Sequence, residues 1–66
     1  MMTAYLDYVV LDGERLYIGA TVWSNFHSKP ITVRWMWKDY DGEVYLEFLG
    51  GSANIRSCEW INNDDD

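Results

Sequence analysis

Sixty-six residues make one small domain at most, with no room for a second folded unit or a repeat array. Hydrophobic residues at 48% and aromatics at 17% exclude intrinsic disorder for the body of the chain. Eleven acids against five bases give a formal charge of −6, which opposes phosphate binding, and a lone cysteine excludes an internal disulfide or a cysteine-rich zinc site.

Strand signals dominate from the start. Residues 5–11 read Y-L-D-Y-V-V-L and residues 15–23 read R-L-Y-I-G-A-T-V-W, on either side of Asp12-Gly13. Two such runs around Asp-Gly predict a β-hairpin. A two-residue turn would pair Leu11 with Glu14 and mix apolar and polar positions on both faces. A three-residue loop over 11–13, with Gly13 left-handed, pairs Val10 with Glu14 and Tyr8 with Leu16. That register gathers Ala4, Leu6, Tyr8, Val10, Leu16, Ile18, Ala20 and Val22 on one face, and is the expected one.

Residues 24–30, S-N-F-H-S-K-P, read as a connection. Residues 31–38, I-T-V-R-W-M-W-K, alternate strictly, which sends Ile31, Val33, Trp35 and Trp37 inward and Thr32, Arg34, Met36 and Lys38 outward. Asp41-Gly42 marks a second hairpin. Its return strand, 43–49, carries Val44, Leu46 and Phe48 on one side and Glu43, Tyr45 and Glu47 on the other. A four-residue loop over 39–42 sets Lys38 across from Glu43 and Arg34 across from Glu47, as opposite-charge pairs. Residues 50–54 break the pattern, with room for one helical turn, and residues 55–61 form a fifth strand with Cys58 and Trp60 on one side.

These elements predict an all-β domain over residues 1–61. The expected architecture is a small five-stranded antiparallel barrel or strongly curved sheet of SH3-like or OB-like type, built from two β-hairpins and a C-terminal strand. Residues 62–66, N-N-D-D-D, read as an acidic, disordered tail. Without its three aspartates the body has eight acids against five bases, a charge of −3. No apolar run approaches the ~20 residues that span a bilayer and no secretory signal is present, so a cytoplasmic protein is expected.

Catalytic signatures are weak. His27 sits in a polar loop with no familiar nucleophile beside it and reads as an exposed loop histidine. Cys58, beside Trp60 in a strand, reads as a buried, inert thiol. Gly50-Gly51 lacks the lysine and helix of a phosphate loop, and residues 39–43 lack the flanking helices and final ligand of a calcium loop. No enzyme activity, cofactor or metal is expected.

The surface is the more informative part. Asp39, Asp41, Glu43 and Glu47 fall at odd positions around the second hairpin, with Tyr45 between the last two. Residues two apart on a strand are about 6.8 Å apart, near the spacing of successive phosphates, so such carboxylates can mimic a nucleic acid in a basic groove. Tyr5, Val9, Leu11, Tyr17 and Trp23 share the outward face of the first hairpin with Asp7, Arg15 and Thr21, an apolar patch expected to mark an interface, and Tyr and Trp dominate binding energy at protein contacts. The expected function is non-catalytic protein binding, with Tyr5, Asp7, Tyr17, Trp23, Asp39, Asp41, Glu43, Tyr45 and Glu47 as the contact residues. The expected partner is a basic protein surface of the kind that binds nucleic acid, with no direct contact to nucleic acid or membrane. In size, acidity and strand content the chain resembles the small inhibitors and immunity proteins of phages and mobile elements, a likeness of composition that covers no motif. Two alternatives follow. One is a structural subunit that forms a symmetric homo-oligomer, such as a homodimer, through strand edges or the Tyr/Trp face. The other, ranked lower, is a β-barrel that binds nucleic acid by base stacking or a small ligand.

Overall fold

A computed structural model describes residues 4–61, and the tail at residues 62–66 lies outside it. The described residues are all-β, with nine short strands among them: β1 Ala4–Tyr5, β2 Tyr8–Leu11, β3 Glu14–Tyr17, β4 Thr21–Ser24, β5 Lys29–Thr32, β6 Trp35–Lys38, β7 Val44–Phe48, β8 Gly51–Asn54 and β9 Cys58–Glu59. One 3-10 turn, Ile55–Ser57, separates the last two. The strands form three antiparallel sheets: β1-β6-β7-β8, the hairpin β2-β3, and β5-β4-β9. Among the described residues no ladder joins the three sheets into a barrel, and the small all-β domain stands. Among the described residues no helix is long and apolar enough to cross a membrane.

The first hairpin takes the register that face-sorting disfavoured. Leu11 pairs with Glu14, Val10 with Arg15, Val9 with Leu16 and Tyr8 with Tyr17. The reason lies in the turn. Asp12 and Gly13 both have positive φ, 54° and 83°, as a two-residue hairpin turn of the primed type requires, and that turn matches the right-handed twist of its strands. Val9, Leu11 and Leu16 are therefore buried, while Tyr8 and Val10 face outward. The outward face is not bare polar surface. The Arg15 guanidinium lies 4.6 Å from the centre of the Tyr8 ring, and the Tyr8 and Tyr17 rings are 5.8 Å apart. Such cross-strand pairs contribute about 0.2–1 kcal/mol each.

The alternating run at 31–38 is two strands, not one. Val33 exchanges backbone hydrogen bonds with the segment after β3: its N–H donates to the Ala20 carbonyl (2.9 Å), and the Gly19 N–H donates to the Val33 carbonyl (2.8 Å). The next residue, Arg34, donates instead to the Glu47 carbonyl on β7 (2.7 Å). The chain passes from one sheet to another between consecutive residues, and the side-chain phase inverts there. Ile31, Val33 and Met36 are buried, whereas Trp35 is 56% exposed. Trp35 and Trp37 thus leave the expected inward face and Met36 enters it.

The second hairpin is one residue longer than the expected loop. Lys38 pairs with Val44 and Trp35 with Glu47, so the Lys38–Glu43 and Arg34–Glu47 pairs do not form across the strands. Asp39 explains the loop. Its carboxylate accepts the N–H groups of Asp41 (2.9 Å) and Glu43 (3.0 Å), and its backbone carbonyl accepts from Gly42, whose φ is 85°. An aspartate that caps its own loop fixes the register by local bonding.

Residues 51–54, expected to break the pattern, form β8 against β7. A strand of sequence G-S-A-N has one apolar side chain to bury, Ala53, which sits opposite Leu46. Gly51 lies under the Phe48 ring, where an added Cβ would come within 3.4 Å. The expected fifth strand shortens to Cys58–Glu59 because Asn54 caps a 3-10 turn, its side chain accepting the Arg56 N–H (2.8 Å). The core gathers Val9, Leu11, Leu16, Val22, Ile31, Val33, Met36, Leu46, Ala53 and Cys58. The Trp60 indole N–H ties the end of the chain to the first hairpin through the Leu11 carbonyl, at 2.6 Å.

Candidate protein-binding surface

The phase inversion after Val33 creates the main candidate surface. Cross-strand pairing puts Tyr5, Trp35, Trp37, Tyr45 and Glu47 on one outer face of the sheet β1-β6-β7-β8. Tyr5 meets Trp35 edge-on at 6.4 Å, and Trp37 stacks on Tyr45 at 4.6 Å with 24° between the planes. Tyr5, 71% exposed, and Trp35 flank a shallow cleft of about 320 Å³ with Glu47. Four rings held on a paired sheet make a contact surface whose ordering cost is already met by the fold.

Three of the expected contact residues, Tyr5, Tyr45 and Glu47, come together there. Trp35 and Trp37 were assigned inward and belong to the same face. Strict alternation gave no sign of this, since the inversion depends on a change of backbone partner. Tyr17 lies on the outer face of the first hairpin, with its hydroxyl 3.5 Å from Arg15 Nη1. Asp7 is exposed in the bend between β1 and β2. Trp23 is half-buried on β4, between Pro30 and Glu59, and donates its indole N–H to Asn25 Oδ1 (3.2 Å).

The evenly spaced carboxylate ladder is absent. Asp39, Asp41 and Glu43 belong to the loop, not to a strand. The Asp39 carboxylate holds loop amides, and Glu43 takes an ion pair with Arg56 (3.0 Å) and a hydrogen bond from Asn54 Nδ2 (3.1 Å). Asp41 remains exposed. Two of the four expected carboxylates are therefore committed within the chain.

His27 is half-buried, in contrast to its expected exposure. Its ring sits edge-on between Phe26 and Phe48, 5.0 Å from each, and Nδ1 lies 2.8 Å from the Ser24 hydroxyl. Ser24 is fully buried, so its oxygen has no path to a substrate; the pair braces the turn between β4 and β5. Cys58 is buried, and desolvation pushes its thiol above its ordinary pKa, opposed by a hydrogen bond to Ser57. A thiol so placed is a poor nucleophile. The native protein should react with a thiol-specific reagent orders of magnitude more slowly than the urea-unfolded chain; equal rates would show the thiol to be open.

No family model, curated protein or solved structure matches the chain. The function therefore rests on the surface itself.

Proposed function

We propose that the protein is a non-catalytic binding domain that docks its Tyr5–Trp35–Trp37–Tyr45 face, edged by Glu47, onto a basic surface of a partner protein. The observation that supports this most is the grouping of four aromatic side chains on one outer sheet face of a chain with net charge −6. Tyr5 and Trp35 are exposed and Trp37 and Tyr45 half-buried; rings so placed supply the central contacts of protein interfaces, and the negative field accelerates encounter with a basic partner. The mechanism is occlusion, in the manner of an inhibitor or immunity protein. A partner whose covered surface binds nucleic acid suits the charge. Of the four hairpin carboxylates, Glu47 and Asp41 carry the electrostatic part, because Asp39 and Glu43 are held internally.

The test is affinity capture from candidate host lysates with the wild-type chain and with Trp35→Ala and Glu47→Lys as baits. Basic proteins should be retained by the wild type, released by high salt, and lost by about tenfold or more with Trp35→Ala, the loss expected of a hot-spot truncation near 1.4 kcal/mol or above. Retention by both variants at wild-type level would remove this face from the reading.

A second reading is favoured by the hairpin β2-β3, which forms a sheet of its own with no ladder to either neighbour. Unpaired edges of that kind support pairing with a second copy, as a homodimer. Sedimentation velocity at micromolar concentration separates the two, since a 7.8 kDa monomer excludes the dimer.

A further inference from the structure

A second surface has the opposite electrostatic character. A groove of about 720 Å³ runs beside β5, walled by Ile18, Trp35, Phe48 and Leu49, with Lys29 and Arg34 in its lining. None of its lining residues is acidic, in a chain with eleven acids against five bases. Both cations stay available. The one salt bridge among the described residues is Arg56–Glu43, while the Lys29 ammonium lies over the Phe48 ring at 5.5 Å and Arg34 is exposed. The apolar walls are open as well: Leu49 is 82% exposed.

The backbone adds a third feature. β5 is the edge strand of its sheet, paired only with β4. Val33 turns its N–H and carbonyl to the β4 side, so alternation leaves the Thr32 N–H and carbonyl and the Pro30 carbonyl on the free edge for an added strand. An extended chain in that place would pair with β5 and set alternate side chains against the apolar walls. From Lys29 to Arg34 is five residues, at most about 17 Å along an extended backbone. Two carboxylates four to five residues apart on the added strand would meet the two cations.

We propose that this groove is a docking site for an extended acidic peptide segment of a partner protein, with two carboxylates four to five residues apart and apolar side chains between them. The juxtaposition of Lys29 and Arg34 in the lining of an apolar groove that follows an edge strand carries the inference. A nucleic acid fits less well. Two cations neutralise few phosphates, a strand edge has nothing to pair with in a sugar–phosphate chain, and the net charge of −6 repels a polyanion as a whole. A short peptide presents its two charges only where the cations are.

The experiment is selection of random nonapeptides displayed on a surface against the full chain, repeated with Lys29→Glu/Arg34→Glu and with Leu49→Asp. Circular dichroism and thermal midpoints establish that each variant is folded; all three positions are exposed, so they are expected to be. The wild type should enrich peptides with two Asp or Glu at that spacing around apolar residues. A synthetic peptide of the consensus should lose about tenfold or more in affinity with the charge-reversed variant, and also lose affinity with Leu49→Asp. A consensus that is basic, a failure to enrich any consensus, or unchanged affinity for the charge-reversed variant would each overturn the proposal. So would a twelve-residue oligothymidylate that binds the groove as tightly as the peptide. Trp35→Ala affects both this groove and the aromatic face, whereas the double charge reversal leaves the Tyr5–Glu47 face intact, so the two surfaces fail separately.

Discussion

Replacing Leu46 with alanine is expected to lower the thermal midpoint by at least about 10 °C, and to leave much of the protein unfolded at 37 °C. Leu46 has no exposed surface. It sits at the middle of β7, a strand with partners on both sides, opposite Met36 on β6 and Ala53 on β8. The backbones on either side are held in ladders and Ala53 has nothing to extend, so only the Met36 side chain can shift toward the gap. Leu→Ala changes at such sites cost about 2–5 kcal/mol. A chain of this length has only about 3–10 kcal/mol of stability to lose, and each kcal/mol shifts the midpoint by roughly 4–8 °C. The control is Leu49→Ala, three residues on and 82% exposed, which should stay within about 0.5 kcal/mol of wild type. Differential scanning calorimetry of the two variants decides the matter, and equal shifts would mean that the core is not where it has been placed.

Ser24→Ala is the second large effect, and a hydroxyl carries it. The Ser24 side chain is fully buried and has two bonds to make, both with His27. Its oxygen accepts the His27 backbone N–H at 3.2 Å, and it shares a second hydrogen bond with Nδ1 at 2.8 Å. Alanine removes the only side-chain partner of both groups in a half-buried site. The cost of stranding them is about 1–3 kcal/mol, or on the order of 10 °C in the midpoint. Thr21→Ala on the same strand removes an exposed hydroxyl pair with Thr32 and should cost much less. Comparable losses from the two substitutions would contradict the bracing role of Ser24.

The strand content was legible in the sequence because β-branched and aromatic residues cluster between Asp-Gly turns, and both turns lie where those dipeptides stand. The buried apolar positions of β4 and β7, Val22 and Leu46, also follow from alternation, whereas the buried Ser24 lies in the stretch expected to be a connection. What alternation could not give is register. Sorting faces by polarity favoured burying Tyr8 and Val10, but the backbone at Asp12-Gly13 prefers a turn that buries Val9 and Leu11. Tyr8 stays outside at little cost because Arg15 and Tyr17 cover its ring. The same limitation hid most of the candidate surface. Tyr5, Tyr45 and Glu47 were readable as outward residues, but Trp35 and Trp37 join them only because the chain changes sheets after Val33. β8 was illegible for a different reason: three of its four side chains are small or absent, so its strand form comes from pairing with β7 and not from its composition.

The passage from Val33 to Arg34 has a consequence for how the molecule comes apart. One continuous backbone segment serves as β5 in one sheet and β6 in another, with no loop between to take up slack. Pulling either sheet open displaces a residue bonded into the other, so neither can fray as an independent foldon. Amide protons on β4 and on β7 should accordingly share a single exchange limit, that of the whole chain.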